Sequence, residues 1–203
     1  MNKQGIRKMA QMAILIAIML IFAFTPLGYF KTAGVEITFM VLPVAIGAIV
    51  IGPTGGAVLG GVFGITSFIQ CFGTSAFGAM LLGINPVFTF ITCLVPRVLC
   101  GWIAGWVFRA LKKVDKTKIV SYCAAALSTA LLNTVFFILS IVVFFWNNGT
   151  FVSTMSSWGF SLDSFWVFVI AFVGLNGVIE AVVNFVVAAA VGKAVVRYIN
   201  KGE

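Results

Sequence analysis

The chain contains no histidine, and charged residues make up only 9% of its 203 positions, against about 25% in an ordinary soluble domain. Its four cysteines, Cys71, Cys93, Cys100 and Cys123, include no CxxC pair. Without imidazole or paired thiolates, zinc and haem sites are not expected, so no metal or other cofactor is assigned and the cysteines read as buried thiols. There is also no GxxxxGK[ST] motif. The glycine-rich segment GPTGGAVLGGVFG therefore cannot serve as a phosphate cradle, and any ATP-driven work falls to a partner. GxSxG and HExxH are missing too, and no nucleophile with an adjacent base can be assembled from what remains. The chain is not expected to be an enzyme.

What is present is apolar. Hydrophobic residues reach 62% and the mean hydropathy is +1.16, well above the roughly 45–50% apolar content of soluble domains. The composition predicts an all-α integral membrane protein, one domain over residues 1–203, with six transmembrane helices at about 9–30, 35–52, 54–70, 84–110, 119–146 and 165–192. Eleven basic residues fall at one set of span ends: Lys3, Arg7, Lys8, Arg109, Lys112, Lys113, Lys116, Lys118, Lys193, Arg197 and Lys201. Only Lys31 lies in a loop on the other side. The positive-inside rule then puts both termini in the cytoplasm, and the net charge of +8 reads as a topology signal, with no nucleic acid as partner. The apolar run from Met9 to Leu27 is too long for a signal peptide and reads as an uncleaved span. Trp102, Trp106, Trp146, Trp158 and Trp166 fall mostly near span ends, as an aromatic belt requires.

Between spans two and three only Gly52, Pro53 and Thr54 intervene, which predicts a tight antiparallel helix hairpin. The loop 71–83 mixes glycine, small polar and apolar residues and is expected to dip into the protein, where it could act as a lid. Asn148-Gly149-Thr150 matches a glycosylation sequon but is read as an Asn-Gly turn. Gly52, Gly56, Gly60 and Gly64 recur every four positions, Gly101 and Gly105 repeat the spacing, and so do Ala13 and Ala17. Such stripes let helices approach closely within the bundle or at a subunit contact. Packing within the bundle is the favoured reading for any one stripe; for Ala13 and Ala17 the balance shifts slightly towards a subunit contact, because the middle of the first span has no polar residue to tie it inward.

Arg97 and Glu180 each sit near the middle of an apolar run, where an ionised group costs about 2.5–3.5 kcal/mol on the insertion scale and marks a functional site. Thr89, Cys93, Arg97 and Gly101 stand four apart and share a helix face, as do Thr129 with Asn133, and Asn176 with Glu180 and Asn184. Two readings compete. Arg97 and Glu180 could simply neutralise each other while asparagines tie helices together at about 0.6 kcal/mol per bond. Alternatively Arg97 meets the anionic group of a ligand through its guanidinium fork, and Asn133, Asn176, Asn184 and Glu180 meet amide and hydroxyl groups. The excess of uncharged donors and acceptors favours the second reading. Gln70 and Asn85 bracket the 71–83 loop and join Thr129 as candidate contacts, although Asn85 before Pro86 is equally suited to capping a helix.

Six spans in about 200 residues, the Ala13-x-x-x-Ala17 motif, the IGPTGG hairpin and the polar site in spans four to six together resemble the substrate-binding S components of energy-coupling factor (ECF) vitamin transporters. The stretch FGTSAFGAMLLGINPVFTFITCLVPRVLCGW is most similar to the pantothenate-specific members. The resemblance implies a multi-pass subunit of the bacterial cell membrane that captures a water-soluble vitamin from outside. It would dock through Ala13 and Ala17 on a transmembrane coupling subunit, EcfT, with two cytoplasmic ATPases, and deliver the vitamin by toppling in the membrane lipid. Pantothenate carries a carboxylate, an amide, two hydroxyls and a geminal dimethyl group, which match Arg97, the asparagines with Gln70, and an apolar wall. An S component for riboflavin, a stand-alone carrier gated by an Arg97–Glu180 pair, and a ligand-free structural subunit stay open as alternatives.

Overall fold

The structure, a computed structural model, describes residues 3–25, 29–32, 35–115, 119–160, 164–170 and 186. Helix α1 (Lys3–Phe24) is followed by a two-stranded antiparallel hairpin, β1 (Tyr29–Thr32) and β2 (Val35–Thr38), in which Lys31 stands opposite Glu36. Helices α2 (Val41–Val50), α3 (Pro53–Gln70), α4 (Ala76–Ile84), α5 (Pro86–Leu111), α6 (Ile119–Phe145) and α7 (Gly149–Ser157) follow. The described residues are thus mainly helical, with one short hairpin. Among the described residues, Gly5–Phe24, Pro86–Leu111 and Val120–Phe145 are long and apolar enough to cross a membrane, with mean hydropathies of 1.9, 1.8 and 2.2. At 1.5 Å per residue their 20 to 26 residues reach across the roughly 30 Å hydrocarbon layer.

Three sequence expectations change. The second span, expected as a helix over 35–52, is a strand followed by a ten-residue helix; alternation of apolar and polar residues through Val35, Glu36, Ile37 and Thr38 suits a strand. The 71–83 loop is largely helical, because Ser75 caps α4 by accepting from the Gly78 amide at 3.2 Å. Likewise Asn148 opens a helix in place of a plain turn: its side chain accepts from the amides of Thr150 and Phe151 at 3.0 and 3.2 Å and starts α7. The fourth span begins at Pro86, and the sixth, expected over 165–192, is described as helix only over 165–170 and at 186.

The expected hairpin between α2 and α3 forms. Gly52 adopts φ +105°, a conformation open to glycine, and Pro53 with its fixed φ starts α3. The glycine stripe of α3 then lies on α5. A methyl at Gly56 would overlap the carbonyl of Gly101, one at Gly60 the carbonyl of Arg97, and one at Gly64 would come within 2.7 Å of the Leu94 Cα. In lipid, where apolar side chains gain nothing by leaving their solvent, this backbone-to-backbone approach supplies the packing that holds the helices.

Two apolar clusters flank this seam. One joins Leu15, Met19 and Ala23 of α1 to Val41 and Val44 of α2, Leu59 and Phe63 of α3 and Ala130 of α6. The other closes one end of the bundle, where Leu81 of α4, Ile141 and Phe145 of α6, and Phe151 and Met155 of α7 pack with Phe168. The site lies between the middles of α3, α5 and α6.

Candidate functional site

Helix α5 carries a proline in its interior, Pro96. Proline has no amide hydrogen, so the carbonyl four residues earlier loses its helical partner. That carbonyl belongs to Thr92, and Arg97 takes it: Nη1 donates to the Thr92 carbonyl oxygen at 2.7 Å. The guanidinium is also flanked by two aromatic rings, with Cζ 4.7 Å from the Phe137 centroid on α6 and 5.3 Å from that of Phe63 on α3. Ring quadrupoles attract a cation at this range, by about 2 kcal/mol or more when water is excluded. Arg97 is 9% exposed, so its charge sits inside the bundle, held by one carbonyl and two ring faces.

Its hydrogen-bonding capacity is not exhausted. Among the described residues Nε is buried without a hydrogen-bond partner, and the same is true of Thr92 Oγ1 and Asn133 Oδ1. Asn133 precedes Phe137 by one turn on α6, so its side chain shares the face that meets Arg97. Leaving a buried donor or acceptor unmade costs about 1–3 kcal/mol, and buried polar groups in folded proteins overwhelmingly find partners. The three atoms, two on α5 and one on α6, offer groups suited to a small polar molecule: N–H for an anion, an amide oxygen for a hydroxyl or amide N–H, and a hydroxyl that serves either.

The other candidates separate into groups. Thr89 and Cys93 lie buried on the Arg97 face of α5, as the four-residue spacing requires, but Thr89 Oγ1 donates to the Asn85 carbonyl at 2.8 Å. Thr129 is fully buried, with its hydroxyl on the Ala125 carbonyl at 2.7 Å. Asn85 caps α5, its Oδ1 accepting from Val87 and Phe88 amides at 3.0 and 3.1 Å. Gln70 has a structural bond as well: Nε2 donates 2.8 Å to the Ala23 carbonyl and ties the end of α3 to the end of α1. Asn176, Glu180 and Asn184 lie outside the described residues.

Thr92, Phe63 and Phe137 were not singled out from the sequence. A signal for Thr92 existed, because it stands four residues before a helical proline. No comparable signal marks the two phenylalanines among the chain's 21. The structure also brings Cys71, at the end of α3, to 3.8 Å from Cys93, sulfur to sulfur, although 22 positions separate them. Ala13 and Ala17 both lie on the exposed side of α1, opposite buried Leu15 and Met19.

Comparison with known proteins bears on this arrangement. The family model described as "ECF transporter, substrate-specific component" matches residues 7–192. A pantothenate transporter, PanT, of Leuconostoc mesenteroides subsp. mesenteroides is 29% identical over 192 residues, covering 91% of this chain and 88% of that protein.

Proposed function

The chain belongs to the substrate-specific components of ECF transporters, and from that premise we propose that it captures pantothenate and delivers it inward when docked on an ATPase-driven coupling module. Membership makes it a multi-pass membrane component for a vitamin, working with an ECF module and not as an enzyme. The finer reading adds the substrate, the bacterial plasma membrane, six spans with both termini in the cytoplasm, and partners consisting of EcfT and two ATPases. Exposed Ala13 and Ala17 form the docking face in this reading, since small residues on a helix surface allow close approach of a second helix.

One observation carries the substrate assignment: among the described residues a buried arginine keeps an uncommitted Nε–H, and Thr92 on its own helix and Asn133 on the facing helix keep an uncommitted buried oxygen each. A carboxylate satisfies Arg97, and the amide and hydroxyls of pantothenate satisfy Thr92 and Asn133. Phe63 and Phe137 provide apolar surface for the geminal dimethyl group. The name of the Leuconostoc relative agrees with this chemistry. Asn176, Glu180 and Asn184 complete the polar shell in this reading, Glu180 by accepting from a substrate hydroxyl or by orienting Arg97.

The test is calorimetric titration of pantothenate into the detergent-solubilised protein, with an Arg97→Ala variant of matched folding beside it. One-to-one binding that weakens about 100-fold in the variant is expected, since truncating one member of a buried charge contact costs about 2–5 kcal/mol. Absence of heat with the wild type sinks pantothenate and directs the search to riboflavin and other vitamins. Uptake into liposomes by this chain alone would establish the stand-alone carrier with its Arg97–Glu180 gate instead.

A further inference from the structure

We propose that Pro96 is the positioning residue of the site: by withholding an amide hydrogen it frees the Thr92 carbonyl to anchor one edge of Arg97, leaving the opposite edge as a carboxylate-selective fork. The proposal rests on the substrate reading given above. Guanidinium has two usable edges. Nη1 and Nη2 form the end, and Nε with Nη2 form the side, whose two N–H bonds run parallel and match the two oxygens of a carboxylate. In this protein Nη1 is held by the Thr92 carbonyl at 2.7 Å. Nη1 is therefore engaged, while among the described residues the side keeps its Nε–H without a partner. Phe63 and Phe137 flank the group and limit its swing.

With any other residue at position 96, the backbone amide would donate to the Thr92 carbonyl, as a continuous α-helix requires. A carbonyl has a second lone pair, but the amide would occupy the direction along the helix and compete with Arg97 for the oxygen. Arg97 would lose its anchor and could turn about its long side chain. The site would then still hold a positive charge but no longer a fixed fork. A positioned fork distinguishes a planar carboxylate from an uncharged alcohol, so Pro96 contributes to the choice between ligands without touching them.

The experiment compares Pro96→Ala with the wild type against two ligands, pantothenate and its uncharged alcohol analogue pantothenol, by calorimetry on detergent-solubilised protein. Pantothenate affinity is expected to fall about 10- to 100-fold, the worth of one charge-assisted hydrogen bond. Pantothenol affinity should change by less than about threefold, which at about 0.6 kcal/mol is within the range of an unrelated helix adjustment. A parallel loss for both ligands, or no loss for either, overturns the proposal, because general damage to the helix does not distinguish a carboxylate from an alcohol. A ligand-free measurement separates this idea from the substrate reading. In protein labelled with 15N-arginine, the Arg97 guanidinium, identified by its disappearance in Arg97→Lys, should show slowed rotation of its amino groups in the wild type and averaged signals in Pro96→Ala. Equal rotation in the two proteins rules out the anchor, whether or not pantothenate proves to be the ligand.

Discussion

Helix α5 has two working faces, and they are built on opposite principles. Towards α3 it presents backbone: Gly56, Gly60 and Gly64 lie against Gly101, the Arg97 carbonyl and Leu94 so closely that no side chain fits between them. Towards α6 it presents the Arg97 side chain, whose guanidinium lies over Phe137, and among the described residues Arg97 Nε, Thr92 Oγ1 and, on α6, Asn133 Oδ1 are buried polar atoms without partners. The first face is complete and the second is not. One rigid seam thus fixes the backbone of Arg97 from behind, while the guanidinium in front keeps bonds in reserve. A binding group held in its productive geometry by surrounding structure loses less freedom when ligand arrives, and this preorganisation raises affinity.

The comparison can be broken at either face, and the effects should differ in kind. Gly60→Leu attacks the seam, where the new side chain would meet the Arg97 carbonyl, a backbone atom that cannot swing aside. A loss of about 3 kcal/mol, the upper part of the overpacking range, is expected and would appear as a large fall in the melting temperature in detergent, with ligand binding lost as a consequence. Gly60→Leu with wild-type stability would show that α3 and α5 are not in contact there.

Asn133→Leu attacks the open face. Its Oδ1 has no partner among the described residues, so replacing the side chain with an apolar one of similar size should leave stability unchanged or raise it, since an unsatisfied buried group costs about 1–3 kcal/mol. Pantothenate affinity should fall about tenfold, the equivalent of 1.4 kcal/mol. Thermal unfolding and titration on the same sample read both numbers, and a destabilised variant would mean that Asn133 ties helices together.

Thr92→Val is the mildest of the three. It removes Oγ1 and keeps both the shape and the backbone carbonyl that anchors Arg97. Stability should move by less than about 0.5 kcal/mol, and affinity should weaken about threefold to tenfold for loss of a neutral hydrogen bond of about 1 kcal/mol. Unchanged affinity would remove Thr92 from the site and leave its carbonyl as the residue's whole contribution.

Two candidate residues bracketing the 71–83 loop make backbone bonds at helix ends: Asn85 caps α5 through Val87 and Phe88, as its place before Pro86 allows, while Gln70 bonds Ala23. A sequence does not reveal that the end of α1 arrives beside Gln70, 47 residues away. The expected helix over 35–52 failed for a local reason: a short alternating segment looks apolar on average while its period is that of a strand.

By itself the sequence determined that this is a membrane protein, that its long helices carry small-residue stripes, and that Arg97 shares a face with Thr89, Cys93 and Gly101. Those features follow from composition and from a helical repeat of about 3.6 residues, both of which are properties of the chain close to each residue. Only the tertiary structure decided that the stripe of α3 meets the backbone of Arg97, that Phe63 and Phe137 are the rings enclosing its charge, and that Cys71 reaches Cys93. Each of these joins residues on different helices, and which helices meet, at what height and on which faces, is set by packing the whole bundle at once.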